Sequence, residues 1–588
     1  MRTGPWVLLS ALSLLSGAIA SACSSPGAST GAGAIGAGGA TGEGGAGGEG
    51  GALSAEHGGE TGAESGGASA GEGGESGASS SSDLPRCVPA STSDIPDDDF
   101  LDSNCDGIDG DVSHAIFVSP SGSDTADGTL GKPVKTIQHG VELAAAAKQD
   151  VYVCIGEYTD NIVVGKDAVS VFGGYDCSGW SRTNARVKVA PQSGSALVVR
   201  GAAAAVVIDR FELRSADAAK AGDSSIGAMI VDSGAVTLSN ITITAGEGAA
   251  GKPGAAVKAV TSAAPTGASG VDAGSQCNYI DGGVVPSPAC QTLRTGGSRG
   301  AVTCPNGDRV RGGVGGTGGN KTYSDIVLHT SGESGLPGGK AVNQKAQPGK
   351  IGAAGVPASA GFGEAMADGY LPTNIGGEGS IGATGESGGG GGGGDACRYY
   401  DSTLADCKTQ RWNYSGAVFM GAGGGQGGFG GCGGVGGKGG QGGGASIAVF
   451  SWRSKLTIAH SSLTSSTGGK GGAPSAGAAG QPGGAVGSGG SASPTDYSST
   501  TPAIEQGQDG ANGANGGPGG PGGAGGGGPS IVVFATLYAP TMTATTLSAG
   551  SGGPGGVGIE KEDGAPGESN ETKLVDIVDD GAAGAGSQ

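Results

Sequence analysis

The sequence predicts an all-β fold of solenoid type: a parallel β-helix with an N-terminal capping helix, interrupted by glycine-rich excursions. Three observations predict it. Short β-branched strands follow one another without intervening helices: Ile162–Val164, Val169–Phe172, Val187–Val189, Leu197–Val199 and Val206–Ile208, with turn residues between them. A three-strand unit then recurs, since Ser225–Gly254 aligns with Ala445–Gly472 and with Pro529–Gly556. Each copy ends in a run of glycine triplets, and the run GGQ-GGF-GGC-GGV-GGK-GGQ-GGG over Gly424–Gly444 leads into the second copy. A period of three is neither the 3.6 of a helix nor the 2 of a strand. It fits polyproline-II geometry, with three residues per turn and about 3.1 Å rise.

The repeat turns the glycine runs into an architectural expectation. Three strands in about twenty residues make one turn of a solenoid. The segments 255–444 and 473–528 then leave it after the same third strand and pack beside it as polyproline-II or polyglycine-II-like layers. Collagen is the rival for Gly507–Gly528, where G-x-y recurs, but so few prolines would make a weak triple helix. The expected order along the chain is a signal peptide (1–22), a lipidated cysteine and flexible tether (23–82) and an acidic segment (83–113). A first solenoid module (114–254), a glycine-rich insertion (255–444), a rung (445–472), a second insertion (473–528) and a last rung with a tail (529–588) follow.

Composition bounds the function. Gly 134 and Pro 27 in 588 residues reach the range where low complexity is the default, and aromatics at 4% are too few for one conventional core throughout. A net charge of -21 argues against nucleic acid and against anionic lipid headgroups, both of which want basic patches.

Arg2 and the apolar stretch Trp6–Leu15 have the form of an export signal too short to span a bilayer. It ends in Ala20-Ser21-Ala22-Cys23, which resembles the lipobox of bacterial lipoproteins, with Ala20 where Leu is usual. The resemblance implies acylation of Cys23, and Ser24 after it favours a lipid-anchored outer-membrane protein at the cell surface. The alternative is an ordinary cleavage signal with an incidental cysteine. Ser24–Ser82 is Gly/Ala/Ser/Glu with almost no large apolar residue, and reads as a flexible tether.

Ten further cysteines in an exported chain read as up to five disulfides, whose connectivity is not fixed by sequence. Pairs close in sequence are Cys87/Cys105, Cys154/Cys177, Cys277/Cys290 and Cys397/Cys407, which leaves Cys304 and Cys432. Asp102-Ser-Asn104-Cys-Asp106-Gly107 fits the first half of an EF-hand-type loop, so calcium is the candidate cofactor, with Asp102, Asn104, Asp106 and Asp109 as oxygen ligands. The twelfth position is Ser113 rather than the bidentate Glu. The alternative is a solvated acidic linker.

Ala115 onward gives a strand (Ile116–Val118), a helix near Thr136–Lys148 with Thr136 as N-cap, and a strand at Val151–Ile155. The stretches Val118–Asp124, Gly128-Thr129, Pro133, Thr136-Ile137 and Val151–Thr159 resemble the N-terminal module of right-handed parallel β-helix proteins of the pectin-lyase-like superfamily. More narrowly, they resemble a domain of unknown function common in bacterial surface proteins. DSNCDGIDG before it and FGGYDCSGW (Phe172–Trp180) after it are similar to companions of that module in myxobacterial lipoproteins. The triplets are similar in composition to PGRS-type glycine-rich domains.

That superfamily includes polysaccharide lyases and hydrolases, which need clustered carboxylates or calcium beside a basic residue. The strand segments offer Asp209, Arg210, Glu212, Asp232, Arg453 and Lys455, which read as solvated strand-face charges, and no carboxylate pair recurs at repeat spacing. Five scattered histidines form no HExxH. No catalytic residue is assigned and the expectation is a non-enzymatic structural, adhesive or envelope protein, anchored to the membrane by lipid and partnered by polysaccharide or another surface protein. The alternatives are a polysaccharide lyase or glycoside hydrolase, and a polysaccharide-binding protein. For the last, Tyr399, Tyr400, Trp412 and Tyr414 on a Cys397–Cys407 loop are the candidate ligand-binding residues.

Overall fold

A computed structural model describes residues 87–272, 295–319, 346–394, 421–491, 506–560 and 562–575, with two short strands, Cys277–Asn278 and Ala417–Val418, besides. Three large sheets carry the apolar core, and every pairing within them is parallel. The first contains seven strands, in the order Ala115–Val118, Asp150–Cys154, Val171–Tyr175, Ala205–Asp209, Ala235–Ser239, Leu456–Ala459 and Thr541–Thr543. The second runs Ile162–Val164, Leu197–Arg200, Ser225–Val231, Ser446–Trp452, Ser530–Thr536 and Ser569–Val575. The third runs Glu157–Tyr158, Val187–Val189, Phe211–Arg214, Thr242–Thr244, Ser462–Thr464 and Thr546–Ser548. The aligned copies enter the sheets in register: Ile226 pairs with Ile447 and Ile447 with Ile531.

These sheets correct the fold class expected from sequence. The described residues form a parallel α/β-type arrangement of three stacked parallel sheets with one helix, in place of a right-handed parallel β-helix closed as a solenoid. Each sheet is a separate hydrogen-bonded ladder. Local strand signals specify direction and spacing, whereas closure depends on how one sheet meets the next. The glycine runs leave after the third strand of the aligned copies, return at the next strand of the second sheet, and form a hydrogen-bonded body of their own.

The helix Ile137–Ala147 is capped by the Thr136 hydroxyl, which accepts from the His139 amide, and ends at Lys148 in the left-handed region. It buries Ile137, Gly140, Val141 and Ala144 against the first strands. Alternation places Ile243 and Leu463 in the core, with Thr242, Thr244, Ser462 and Thr464 turned the other way. Four of the short steps from the first sheet to the third each begin with one left-handed residue: Arg210 (φ 61), Asn240 (φ 53), His460 (φ 50) and Ala544 (φ 47). Only Asn suits that conformation well, so the other positions are held by their neighbours.

A row of serines joins strands to glycine. Ser225, Ser446, Ser530 and Ser569 each open a strand of the second sheet and donate to a backbone oxygen, of Ala216, Gly246, Ser466 and Gly550 respectively, at 2.6–2.7 Å. Beyond this seam lies the slab, whose centre is 421–444. Gly425, Gly428, Gly431, Gly434, Gly437, Gly440 and Gly443 donate to the chain from Gln508 to Gly526, every third residue. Gln426, Phe429, Gln441 and Gly444 donate to the segment 249–268, while Gly421, Gly424 and Gly427 donate to 313–319. The carbonyls of the same stretch accept from 376–394 and from 469–490. Each residue of a triplet thus faces a different neighbour, as a threefold backbone requires. Residues 421–432 are all buried.

The few side chains inside the slab are placed. Phe429 and Cys432 share a small core with Ala264, Cys304 and Val310, closed by the Cys304–Cys432 disulfide. Gln426, 0% exposed, accepts from the Ala268 amide and donates to the carbonyls of Arg299 and Gly312. A second apolar layer covers the second sheet, where Phe362 stacks on Phe534 and Phe534 on Phe450. No helix among the described residues is long and apolar enough to cross a membrane.

Candidate functional site

The acidic segment docks on the first sheet, and the contact is made by buried charge. Arg182, its side chain 0% exposed, donates Nη1 to Asp109 Oδ2 at 3.1 Å and to the Asp97 carbonyl at 3.0 Å. Its Nε donates to the Gly173 carbonyl, and Nη2 pairs with Asp209 Oδ2. Arg210 bridges the same Asp209 Oδ2 at 2.6 Å and Asp98 Oδ1 at 2.7 Å, with its guanidinium 4.7 Å from the Phe100 ring centre. Asp209 Oδ1 accepts from Ser239 and Asn240. Two guanidinium groups therefore serve three carboxylates. Removing one partner from such a set strands a charge in low dielectric.

Aromatic packing supports it. Phe117, Tyr152, Phe172, Tyr175 and Trp180 cluster with Ile108 of the acidic segment. Tyr175 donates its hydroxyl to the Asp109 carbonyl at 2.6 Å, and the Tyr152 hydroxyl accepts from the Asp111 amide at 3.0 Å. The two motifs flanking the N-terminal module, far apart in sequence, are in contact here. Burial holds the Asp109 carboxyl above the usual carboxylate value, outweighing Arg182. Burial also pushes Asp98 upward, but the hydrogen bond and charge of Arg210 outweigh it and leave that carboxyl below the usual value.

The candidate calcium ligands divide. Asp102, Asn104 and Asp106 come together in one loop. Asp102 accepts from the amides of Asp106 and Gly107 at 3.0 and 2.9 Å, and Asn104 Oδ1 accepts from the Asp106 amide at 3.0 Å. Asn104 Nδ2 donates to Asp106 Oδ2 at 3.0 Å, which also accepts from the Val112 amide. Asp109 does not join them, because Arg182 holds its carboxylate on the inner side. The remaining donors, two carboxylates and one amide, are the oxygen set a hard cation takes. Among the described residues no three His, Cys, Asp or Glu side chains converge as ligands. The loop is stapled by Cys87–Cys105, and Cys154–Cys177 closes the neighbouring turn. Cys23, Tyr399, Tyr400, Trp412 and Tyr414 lie outside the described residues.

Other sequence candidates scatter. Asp209 and Arg210 are buried rather than solvated, as the network demands. Asp232 and Arg453 form a half-exposed pair at 3.7 Å, and Glu212 lies exposed on the third sheet. Lys455 lines an open cleft of about 560 Å³ with the in-register Thr237, Thr457 and Thr541 and with Tyr538, whose ring centre is 5.8 Å from the ammonium. Its lining holds Lys455 as its one charged side chain. Sequence reasoning missed Arg182, which sits in a polar loop with no periodic signal.

Neither a protein-family model nor a curated protein sequence matches the chain. Among solved structures it is similar to the GH136 lacto-N-biosidase from Eubacterium ramulus, at 10% identity over 23% of this chain and 34% of that one, with a TM-score of 0.14. The match spans about a third of that enzyme's chain, and at that TM-score it carries neither fold nor activity to this protein.

Proposed function

We propose that this chain is a non-enzymatic structural protein of the bacterial cell surface, lipid-anchored to the outer membrane through Cys23, with adhesion or envelope contact as its work. The observation that carries the reading is the stretch 421–444, hydrogen-bonded through its backbone to neighbours on every side. Such a slab spends its interior on glycine and has rigidity as its main property. The export signal and the lipobox-like Ala20–Cys23 support the placement. Two assays test it. Purified protein is incubated with acidic polysaccharides, and release of unsaturated or reducing ends would overturn the non-enzymatic reading. Cys23→Ala is expected to abolish palmitate labelling and move the protein out of the outer-membrane fraction; unchanged labelling rejects the anchor.

Polysaccharide binding is a second reading, supported by the threonine-floored cleft beside Tyr538. Calcium held by Asp102, Asn104 and Asp106 would stiffen the acidic segment at its docking site, and calorimetric titration with calcium checks it.

A further inference from the structure

The second sheet ends on Ser569–Val575, a seven-residue strand paired on one side only among the described residues. The ladder to Ser530–Thr536 fixes which backbone groups are used. The Ser530 amide donates to the Glu568 carbonyl, with Ser530 opposite Ser569. In a parallel ladder of that register, Asn570, Thr572 and Leu574 direct both N–H and C=O toward Ser530–Thr536. Glu571 and Lys573 therefore direct both groups away from it. An edge of this length is a template for strand addition unless something covers it.

The pattern about Thr572 is self-complementary. When two copies of the strand run antiparallel with Thr572 on the twofold axis, Glu571 of one copy stands opposite Lys573 of the other, twice over. Glu571 and Lys573 carry the outward N–H and C=O groups, so each opposed pair exchanges two N–H···O bonds, as an antiparallel hydrogen-bonded pair does. Their side chains share one face and bring opposite charges together. Glu571 is exposed and has no ion pair within the described chain, whereas Lys573 already pairs with Glu568 and lies 4.7 Å from the Phe362 ring centre. The other two edges at this end, Thr541–Thr543 and Thr546–Ser548, carry no charge, so a twofold partner meets no like-charge strand there.

We propose that this edge is an interface between two copies of the chain, joined through Ser569–Val575 as an isologous antiparallel pair. It goes beyond the surface role above, and enzymatic activity would leave it standing. Sedimentation velocity of the full purified chain over a concentration series tests it. The wild type is expected to dimerise. Glu571→Lys places Lys against Lys and weakens association about tenfold, given the cost of like charges directly opposite. Lys573→Glu does the same through Glu against Glu. An equimolar mixture of the two variants restores complementary pairs and returns association to the wild-type range. Circular dichroism melts establish that each variant is folded. A wild type that stays monomeric, a dimer indifferent to Glu571→Lys, or a mixture no tighter than its components would each overturn the proposal.

Discussion

The sheets and the glycine slab are two interiors built by opposite means. In the sheets, alternate side chains fill the space: Ile208, Leu238, Ile243, Ile458 and Leu463 are fully or almost fully inside, and the backbone bonds run along the ladder. In the slab the backbones fill the space themselves. From Gly421 to Cys432 only Ala422, Gln426, Phe429 and Cys432 carry side chains, and the bonds radiate to several neighbours. The energetics differ accordingly. Apolar burial contributes about 25 cal/mol per Å² to the sheets, while each slab bond nets only about 0.5–1.5 kcal/mol against the large conformational entropy of glycine. A body of this kind depends on attachment. The serine row supplies it, while the Cys304–Cys432 bridge ties two slab segments to each other.

The sharpest way to break that contrast is one methyl group. A Cβ at Gly433 would stand 1.6 Å from the Gly382 carbonyl oxygen, which belongs to a neighbouring backbone and cannot rotate away. Gly433→Ala should cost well beyond the ~1–3 kcal/mol of an ordinary overpacked core and prevent folding of the slab. Val435→Ala, two residues on and 40% exposed, should change the melting temperature little. Equal effects at the two positions would mean the slab is loosely packed.

Arg182→Ala should come next, at about 3–5 kcal/mol, because Asp109 would be left buried without its charged partner and Asp209 would keep Arg210 alone. Denaturant unfolding measures it, and loss of Asp109→Asn sensitivity in the double variant would locate the effect in the network. Replacing both Cys304 and Cys432 by Ser should cost about 2–5 kcal/mol, since the bridge closes a sequence separation of 128 residues. Hydrogen exchange should then rise first in the slab and leave the sheets protected; a uniform rise would show the two bodies unfold as one.

The smallest effect is acid dependence at the docking site. Asp98 is held below its ordinary 3.8, so its stabilisation is complete above that value and is lost as pH falls through the lower folded value. Asp109 has the opposite sign. Held above 3.8, it is protonated more readily folded than unfolded, and its contribution worsens as pH rises from about 3.8 through its folded value. Thermal melts across acid pH should show Asp98→Asn flattening the low-pH loss and Asp109→Asn flattening the change above it. Identical profiles for both variants and wild type would dismiss the network as a source of pH dependence.

Much of this was legible in the chain. The strand at Ile162–Val164, the Thr136 cap and the three aligned copies are local signals, and local signals survive because alternation and capping act within a few residues. The period of three was legible too, and it is the period of the slab's hydrogen bonds. Tertiary structure decided the rest. It turned Asp109 away from Asp102, Asn104 and Asp106, because a buried Arg182 some seventy residues later makes the stronger demand. It sank Asp209 and Arg210, which alternation alone had left in solvent. It also arranged the strands as three stacked parallel sheets with one helix, where the repeat had suggested a closed solenoid. A repeat specifies what pairs with what along one ladder. How ladders meet, and which charge finds which partner, is settled only by contacts between residues far apart in sequence, and no local pattern encodes those.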